Sequence, residues 1–470
     1  MSRAAAVLWL RRDLRRGDLP ALGAAAAAAD GASVLVLFVL DPRLWEGAGP
    51  VRRAWLAATL EAAREAYDGR LCLRVGDPAE VVPAVVEEVG ARSVHVSRET
   101  TPAGVRRDRA VSASLAASGV DWVETGTPYA VGPGSIVNGS GDPYKVFTPF
   151  SRAWRDKGWP APATEPTGLT LARVASDDDG WRTVRSAASA DGLPDLPAAG
   201  EEAALARWRE FLDDALTAYK DDRDRADRPG TSRLSPYLKI GAVHPRTLLA
   251  ELEGRTGQGA QTFATELCWR EFYADVLWHH PRSAWHDLRP ALSGMTYEDN
   301  EDLVAAWKEG RTGYPVVDAA MRQLLTEGWM HNRMRMVTAS FLTKDLHVWW
   351  PVGARHFLDH LLDGDIASNN HGWQWVAGTG TDASPYFRVF NPITQGQRFD
   401  PQGDYVRRYV PELAHVPGKA VHEPWKHDEG YAHGYPEPVV DHAEERREAL
   451  RRYEAARGAQ SSGSGGRGSA

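Results

Sequence analysis

The sequence predicts an α/β plus all-α fold, in which an N-terminal Rossmann-like doubly wound parallel sheet is followed by a helical domain. Three observations carry this. Short apolar runs alternate with amphipathic stretches up to about Glu124, a Gly-, Pro-, Asp- and Ser-rich interval follows from about Gly126 to Gly200, and helical spacing dominates after Glu201.

Five apolar runs, Val7 to Leu10, Val34 to Leu40, Leu71 to Val75, Val94 to Val96 and Val120 to Val123, read as parallel strands buried on both faces. Helix-like segments such as Arg52 to Tyr67 and Asp77 to Val89 lie between them, and in the second Asp77 can cap while Pro78 takes the first helical position. The first strand runs into Arg11, Arg12, Asp13, Leu14, Arg15 and Arg16, with neither a G-x-G-x-x-G turn nor a phosphate-loop lysine. That argues against ordinary dinucleotide or nucleoside-triphosphate binding at this strand end. The interval 129–200 reads as a long connecting loop over the surface rather than a third core. Beyond it Ala204 to Leu216, Thr262 to Leu277, Val316 to Leu325, Arg333 to Leu342 and Ile366 to Val376 show apolar residues at helical spacing. The expected organisation is an α/β domain over 1–128, the connection over 129–200, a helical domain over 201–450 and a mobile tail over 451–470, whose end is Ser/Gly-rich.

Composition narrows the function. A chain of 470 residues exceeds one ordinary core, and 43% hydrophobic with 25% charged residues is the balance of a packed soluble body. The net charge of −8 argues against general electrostatic binding to nucleic acid, so any DNA site must be a local basic patch. Cys72 and Cys268 are the only cysteines, which leaves no disulfide framework or cysteine zinc site and fits a reducing compartment. No apolar run is long enough to span a bilayer, and the start places its apolar residues before its arginines, the reverse of a signal peptide; a cytoplasmic monomer is expected. The 18 Trp outnumber 14 Tyr and 11 Phe, and half of them fall between Trp269 and Trp375; a helical core using Trp as a large hydrophobe accounts for this unaided.

Three stretches mix chemistries in a way a plain core does not need. Thr231, Ser232, Arg233, Leu234, Ser235 and Pro236 set hydroxyls and a guanidinium before a helix, with Ser235 as its cap; free amides there suit a phosphate, and a plain cap explains the same residues. In Glu266 to Tyr273, helical spacing puts Glu266, Trp269, Arg270 and Tyr273 on neighbouring positions of one face, suiting a stacked base; an ion pair from Glu266 to Arg270 over a core tryptophan suits the spacing equally. Trp329 to Met336 interleaves amide, guanidinium and thioether where an amphipathic helix would show an apolar stripe, which suggests a ligand wall. Asp363 and Asp365 open a run through Asn369, His371, Trp373 and Trp375, but the later oxygen ligands of a calcium loop are missing and no metal is expected.

Together these stretches resemble the photolyase/cryptochrome family, over nearly the whole chain as far as about Leu413. The resemblance implies an antenna domain joined by a long loop to a helical FAD domain, and light-driven repair of cyclobutane pyrimidine dimers in DNA by electron transfer from photoexcited, reduced FAD. It implies that Tyr219, Thr231, Ser232, Arg233, Leu234 and Ser235 hold the FAD phosphates and ribose, that Asp363 and Asp365 contact the isoalloxazine with Arg335 paired to Asp363, and that Asn369 faces flavin N5. The lesion pocket is matched by Glu266, Trp269, Arg270, Asn332, Arg333, Met336 and Trp375, with Arg223, Arg333 and Arg388 as phosphate contacts. A linked pyrimidine pair stacks poorly, so flipping it out costs less than flipping normal bases, and flat apolar rings suit it. Glu266, beside an apolar lesion, is expected to have a raised pKa and to donate to a pyrimidine carbonyl. A His-rich segment would mark the branch that repairs (6-4) photoproducts; Trp329 to Met336 holds only His331.

The resemblance also implies an electron relay, with Trp373 and Trp350 in its first two places and Tyr297 in the third, where relatives keep tryptophan; Trp285 and Trp307 are substitutes. His371 stands where many relatives have glycine. The second, antenna chromophore is either a methenyltetrahydrofolate or an 8-hydroxy-5-deazaflavin; Arg52 and Glu99 lie in the matching region, and the segment after Glu99 is slightly closer to the deazaflavin branch. A cryptochrome-like photoreceptor would use the same FAD for signalling, and would show a lost lesion pocket or a long regulatory tail. The residues matched to the pocket are kept and the stretch after about Asp441 is short and largely low complexity, so repair is the expected reading. A nucleotide-binding transferase built on the α/β domain alone lacks a phosphate loop and leaves the helical half unexplained.

Overall fold

The computed structural model describes residues 3–292, 294–381 and 388–463. Five parallel strands, β1 (Ala6–Leu10), β2 (Ser33–Leu40), β3 (Leu71–Val75), β4 (Ser93–Val96) and β5 (Asp121–Glu124), run in the order β3-β2-β1-β4-β5. Each lies within a residue of its expected bounds. The Val/Leu runs of β1, β2 and β4 are buried on both faces at the centre of the sheet, but the expected two-sided burial fails at the ends of the strand order, where β5 is exposed or half-buried throughout and β3 is buried only over Leu71, Cys72 and Leu73. All five residues of β1 are buried, and Val7, Trp9, Leu35, Leu37 and Val94 join one core with Val82 and Leu115 of flanking helices. The strand order reverses between β1 and β4, so Arg11 to Arg16 and Ser97 to Glu99 leave the sheet at its topological switch point. Asp77 caps the helix Pro78–Val89 as expected, accepting from the Ala79 N–H at 3.0 Å.

The connection is more ordered than its composition suggests. It contains the helices Phe147–Lys157 and Asp178–Ala188 and a sixth strand, β6 (Thr170–Leu171), paired with the start of β2. Phe147, Phe150 and Trp154 are buried. The Glu271 carboxylate accepts from the backbone N–H groups of Ala130 (3.2 Å), Val131 (3.0 Å) and Gly132 and from Trp154 Nε1 (2.9 Å), so one buried side chain ties down the segment's first turn.

The chain forms two compact units that do not follow sequence order. The first comprises Met1–Thr217, Ser232–Pro281 and Leu362–Asp365, and the second Ala218–Thr231, Arg282–Leu361 and Ile366–Ala470. The 22-residue helix Gln258–His279 and the short acidic segment Leu362–Asp365 thus belong with the sheet. In the second unit Trp307, Met321, Leu324, Met330, Met334, Phe357 and Trp373 belong to the core, supplied by the helices Glu301–Lys308, Pro315–Glu327, Asn332–Ser340, Trp350–His360 and Ile366–Ala377 and by Met330 just before the third of them. Residues 451–463, expected as part of a mobile tail, continue the helix His442–Gly463, and Ala449 and Ala456 are buried on it; the tail's last seven residues, 464–470, lie outside the described ones. Among the described residues no helix is long and apolar enough to cross a membrane.

Candidate functional site

In the first unit, the hydroxyl-rich segment turns sharply before its helix. Arg233 adopts a left-handed conformation (φ 52°), and Ser232 Oγ accepts from the Leu234 N–H at 3.3 Å. The helix spans Ser235–Ile240 with Leu234, not Ser235, at the cap position and no side-chain cap bond, which corrects the expected role of Ser235 and leaves its hydroxyl exposed. Asp363 and Asp365 are both buried. Arg12 Nη2 lies 2.8 Å from Asp365 Oδ2, and Lys239 Nζ lies 3.7 Å from the same oxygen.

On the helix Gln258–His279, Glu266 and Trp269 are half-buried. Trp269 stacks on Phe147 with ring centroids 3.5 Å apart and planes at 7°, so one of its two faces is already covered by the connection. Arg270 departs from its expected place in the lesion pocket. Its guanidinium donates to the carbonyls of Pro128 and Leu238, both at 3.0 Å, and lies 4.4 Å from the Tyr129 ring centre, so it braces the unit rather than reaching for DNA. Glu99 is likewise committed inside the protein: its Oε1 accepts from the N–H groups of Thr100 (2.7 Å) and Thr101 (2.9 Å) and lies 3.5 Å from Arg12 Nη1. Burial opposes its ionisation, yet Arg12 and Arg107 hold the carboxyl down at about 2. The expected antenna contact therefore serves as a buried counter-ion. Arg52, the other antenna candidate, is half-buried and donates to the Gly47 carbonyl at 3.4 Å.

In the second unit, Tyr219 is buried with the Arg223 guanidinium 5.9 Å from its ring centre, and Thr231 is half-buried. The mixed helix is fixed at its start by His331, whose Nδ1 accepts from the Arg333 N–H at 3.2 Å. Met330 and Met334 are core residues. Arg335 donates from Nε to the Met330 carbonyl at 2.9 Å, and Arg333 pairs with Asp224 at 2.8 Å while approaching Met336 Sδ at 3.6 Å. Asn332 and Arg388 are exposed, and Trp375 packs half-buried against the core. Asn369 Nδ2 donates to Ala354 O (3.1 Å) and Asn370 Oδ1 (2.8 Å), so what this side chain has to offer a ligand is its carbonyl oxygen. His371, for which the sequence alone provides no reason, is a buried clamp: Nδ1 donates to Ala367 O (2.8 Å) and Nε2 lies 2.9 Å from Ser283 Oγ.

Trp373 is buried against Phe357 (centroids 5.0 Å) and Trp307 (6.0 Å). Trp350 is fully buried, donates from Nε1 to Asp287 Oδ1 at 2.7 Å, and meets the ring of Trp349 edge-on at 6.5 Å; Trp349 itself is 36% exposed. Burial, with the Asp287 charge added, raises the Tyr297 phenol above its ordinary pKa. Asp287 and Trp349 carry no motif and escape a reading of the sequence; the signal for Trp349 is the doubled Trp349-Trp350 alone.

Residues 6–167 match the family model described as DNA photolyase, and residues 263–455 match the FAD binding domain of DNA photolyase. The chain belongs to the DNA photolyase family. It is 43% identical to the deoxyribodipyrimidine photo-lyase of Streptomyces griseus, over 96% of this chain and 99% of that protein. With its counterpart in Escherichia coli K12 it shares 38%, over 96% and 98%. Among solved structures, a class III photolyase from Agrobacterium tumefaciens superposes with a TM-score of 0.88 at 35% identity, covering 97% of this chain and 98% of that one. A cryptochrome from Synechocystis sp. PCC6803 reaches 0.85 at 26%, covering 96% and 100%.

The residue types at these positions, taken singly, fit FAD. The hydroxyls of Thr231, Ser232 and Ser235 suit phosphate oxygens, the carboxylates of Asp363 and Asp365 suit ring or ribose donors, and the Asn369 oxygen suits a ring N–H.

Proposed function

We propose that the chain repairs cyclobutane pyrimidine dimers in DNA as a light-driven, FAD-dependent deoxyribodipyrimidine photo-lyase. The observation that carries this is the 43% identity to a deoxyribodipyrimidine photo-lyase over 96% of the chain, with Glu266, Trp269, Asn332, Arg333, Met336 and Trp375 all present. FAD, when bound and reduced, supplies the electron that light sends to the dimer and that returns once the cyclobutane bonds have broken.

The chain's own residues bind, orient and exclude water. Thr231, Ser232 and Ser235 would hold phosphate, Asp363 and Asp365 would orient the ring system, and the Asn369 oxygen would accept from a ring N–H. Trp269, on the face turned away from Phe147, and Trp375 would each offer a flat ring to flipped-out pyrimidines, replacing the stacking they have lost. Glu266 donates to a pyrimidine carbonyl as negative charge develops on it. Arg223, Arg333 and Arg388 meet DNA phosphates, which a chain of net charge −8 requires to be a local patch. Trp373 and Trp350, with Tyr297 or the exposed Trp349 as the outer end, would carry electrons toward a bound flavin. The sheet-containing unit would hold a second chromophore that gathers light, for which 8-hydroxy-5-deazaflavin is the preferred candidate.

The test is illumination of the reduced, FAD-loaded protein with DNA holding one cyclobutane dimer, following intact thymines in light and in darkness. Light-dependent repair that falls about 10-fold or more in Glu266→Ala, with FAD retained, supports the reading. FAD retention without repair under any illumination would instead favour a photoreceptor.

A further inference from the structure

The arginine-rich run after β1 takes no part in the chemistry above, yet it leaves the sheet at its switch point, where doubly wound folds bind ligands. Within the first unit that strand end is occupied by charged side chains paired with one another. Arg11 pairs with Asp108 at 3.1 Å, Asp13 accepts from Ser97 Oγ at 2.6 Å, and Arg12 lies between Glu99 at 3.5 Å and Asp365 at 2.8 Å. The same run holds the end of the helix Ser235–Ile240. Leu14 N–H donates to Ile240 O at 3.4 Å, and Gly241, with φ 75°, approaches so closely that a Cβ would stand 1.9 Å from the Arg12 carbonyl oxygen. One loop therefore fixes both a carboxylate 353 residues away and the helix that follows the hydroxyl-rich turn.

We infer that Arg12, assisted by Lys239, is a positioning residue for the flavin: it holds the buried Asp365 carboxylate ionised and in one orientation, as an acceptor for the N–H edge of the isoalloxazine ring. The inference rests on the reading of Asp365 as a flavin contact. A protonated carboxyl would present a donor to that edge, and an unanchored one would rotate; a guanidinium at 2.8 Å prevents both. Lys239 is the weaker partner. It stands 3.7 Å away, and burial, with the neighbouring Arg12 charge, pushes its ammonium down to about 8, whereas a guanidinium stays charged throughout the working range. Glu99 supplies the second counter-charge that makes a buried Arg12 tolerable.

The experiment measures FAD affinity by equilibrium dialysis in the dark, together with the visible flavin spectrum, on the full chain. Arg12→Gln and Asp365→Asn are each expected to weaken FAD binding about tenfold and to shift the flavin bands, and Arg12→Lys to recover most of the loss. In an Asp365→Asn background Arg12→Gln should add nothing. Normal affinity and spectrum in Arg12→Gln beside a loss in Asp365→Asn would overturn the inference, as would additive losses in the double variant. Unaltered FAD binding in Asp365→Asn would overturn the reading of Asp365 itself. Should Arg12→Gln fail to fold, Lys239→Gln carries the test: a loss of about threefold that disappears in Asp365→Asn is expected, and an additive loss overturns the inference.

Discussion

At the scale of single residues, electron supply turns on what surrounds Trp350 and Tyr297. Oxidising a tyrosine is eased when its proton can leave, and burial with the Asp287 charge holds the Tyr297 phenol above its ordinary pKa. Trp350 already has Asp287 at its indole N–H and an exposed ring, Trp349, beside it. Tyr297→Phe is therefore expected to slow flavin photoreduction by less than about 3-fold, while Trp350→Phe slows it by about 10-fold or more, measured as bleaching of oxidised flavin under blue light with an external reductant. A large loss in Tyr297→Phe would restore Tyr297 as the terminal donor. Asp275 gives a pH-dependent counterpart. Burial pushes its carboxyl up to about 6, while the Gly134 N–H, which it accepts at 2.7 Å, pulls the other way. A carboxyl whose folded pKa exceeds its unfolded one stabilises the fold while protonated, fully below about pH 4, and that contribution is lost as pH rises through about 6. Asp275→Asn keeps an oxygen for Gly134 and removes the titration. Its stability relative to the parent should rise by about 2 kcal/mol between pH 4 and pH 7.5 in urea unfolding; a constant difference would contradict the assignment.

At the scale of elements, the positions of the helices depend on contacts that local pattern does not encode. Gly241 ends the helix Ser235–Ile240 in a left-handed turn against the Arg12 and Asp13 backbone. Gly241→Ala combines a positive φ with a clash against main chain, so a loss of about 2 kcal/mol or more is expected in chemical unfolding, with weaker FAD retention alongside it. A loss below about 0.5 kcal/mol would mean that the loop yields easily. The connection teaches the same lesson in reverse. Its Gly, Pro and Asp content reads as loop, yet Phe147, Phe150 and Trp154 are buried, and Glu271 supplies acceptors to three successive backbone N–H groups. His371 belongs at this scale too, since its two ring nitrogens join the helix Ile366–Ala377 to itself at Ala367 and to Ser283.

For the whole molecule, the strands and the long helices were legible because each is defined by a run or period only a few residues long. Val34 to Leu40 can be nothing but a buried strand in this context, and Asp77-Pro78 announces a helix start without help from elsewhere. The family likeness was legible through Thr231 to Pro236, Glu266 to Tyr273 and Asp363 to Trp375, which hold their residue types at short, fixed spacings. What only the tertiary structure decided is which of those residues are already engaged. Arg270 lies beside Trp269 in sequence but is drawn to the Pro128 and Leu238 carbonyls; Glu99 is turned to Arg12 and the Thr100 and Thr101 amides; and Asp365 meets an arginine from the other end of the chain. A charged side chain taken out of water must find its partner wherever the fold brings one. Sequence determines which residues carry charge and which runs must be buried, and the long-range packing alone determines how those charges are paired.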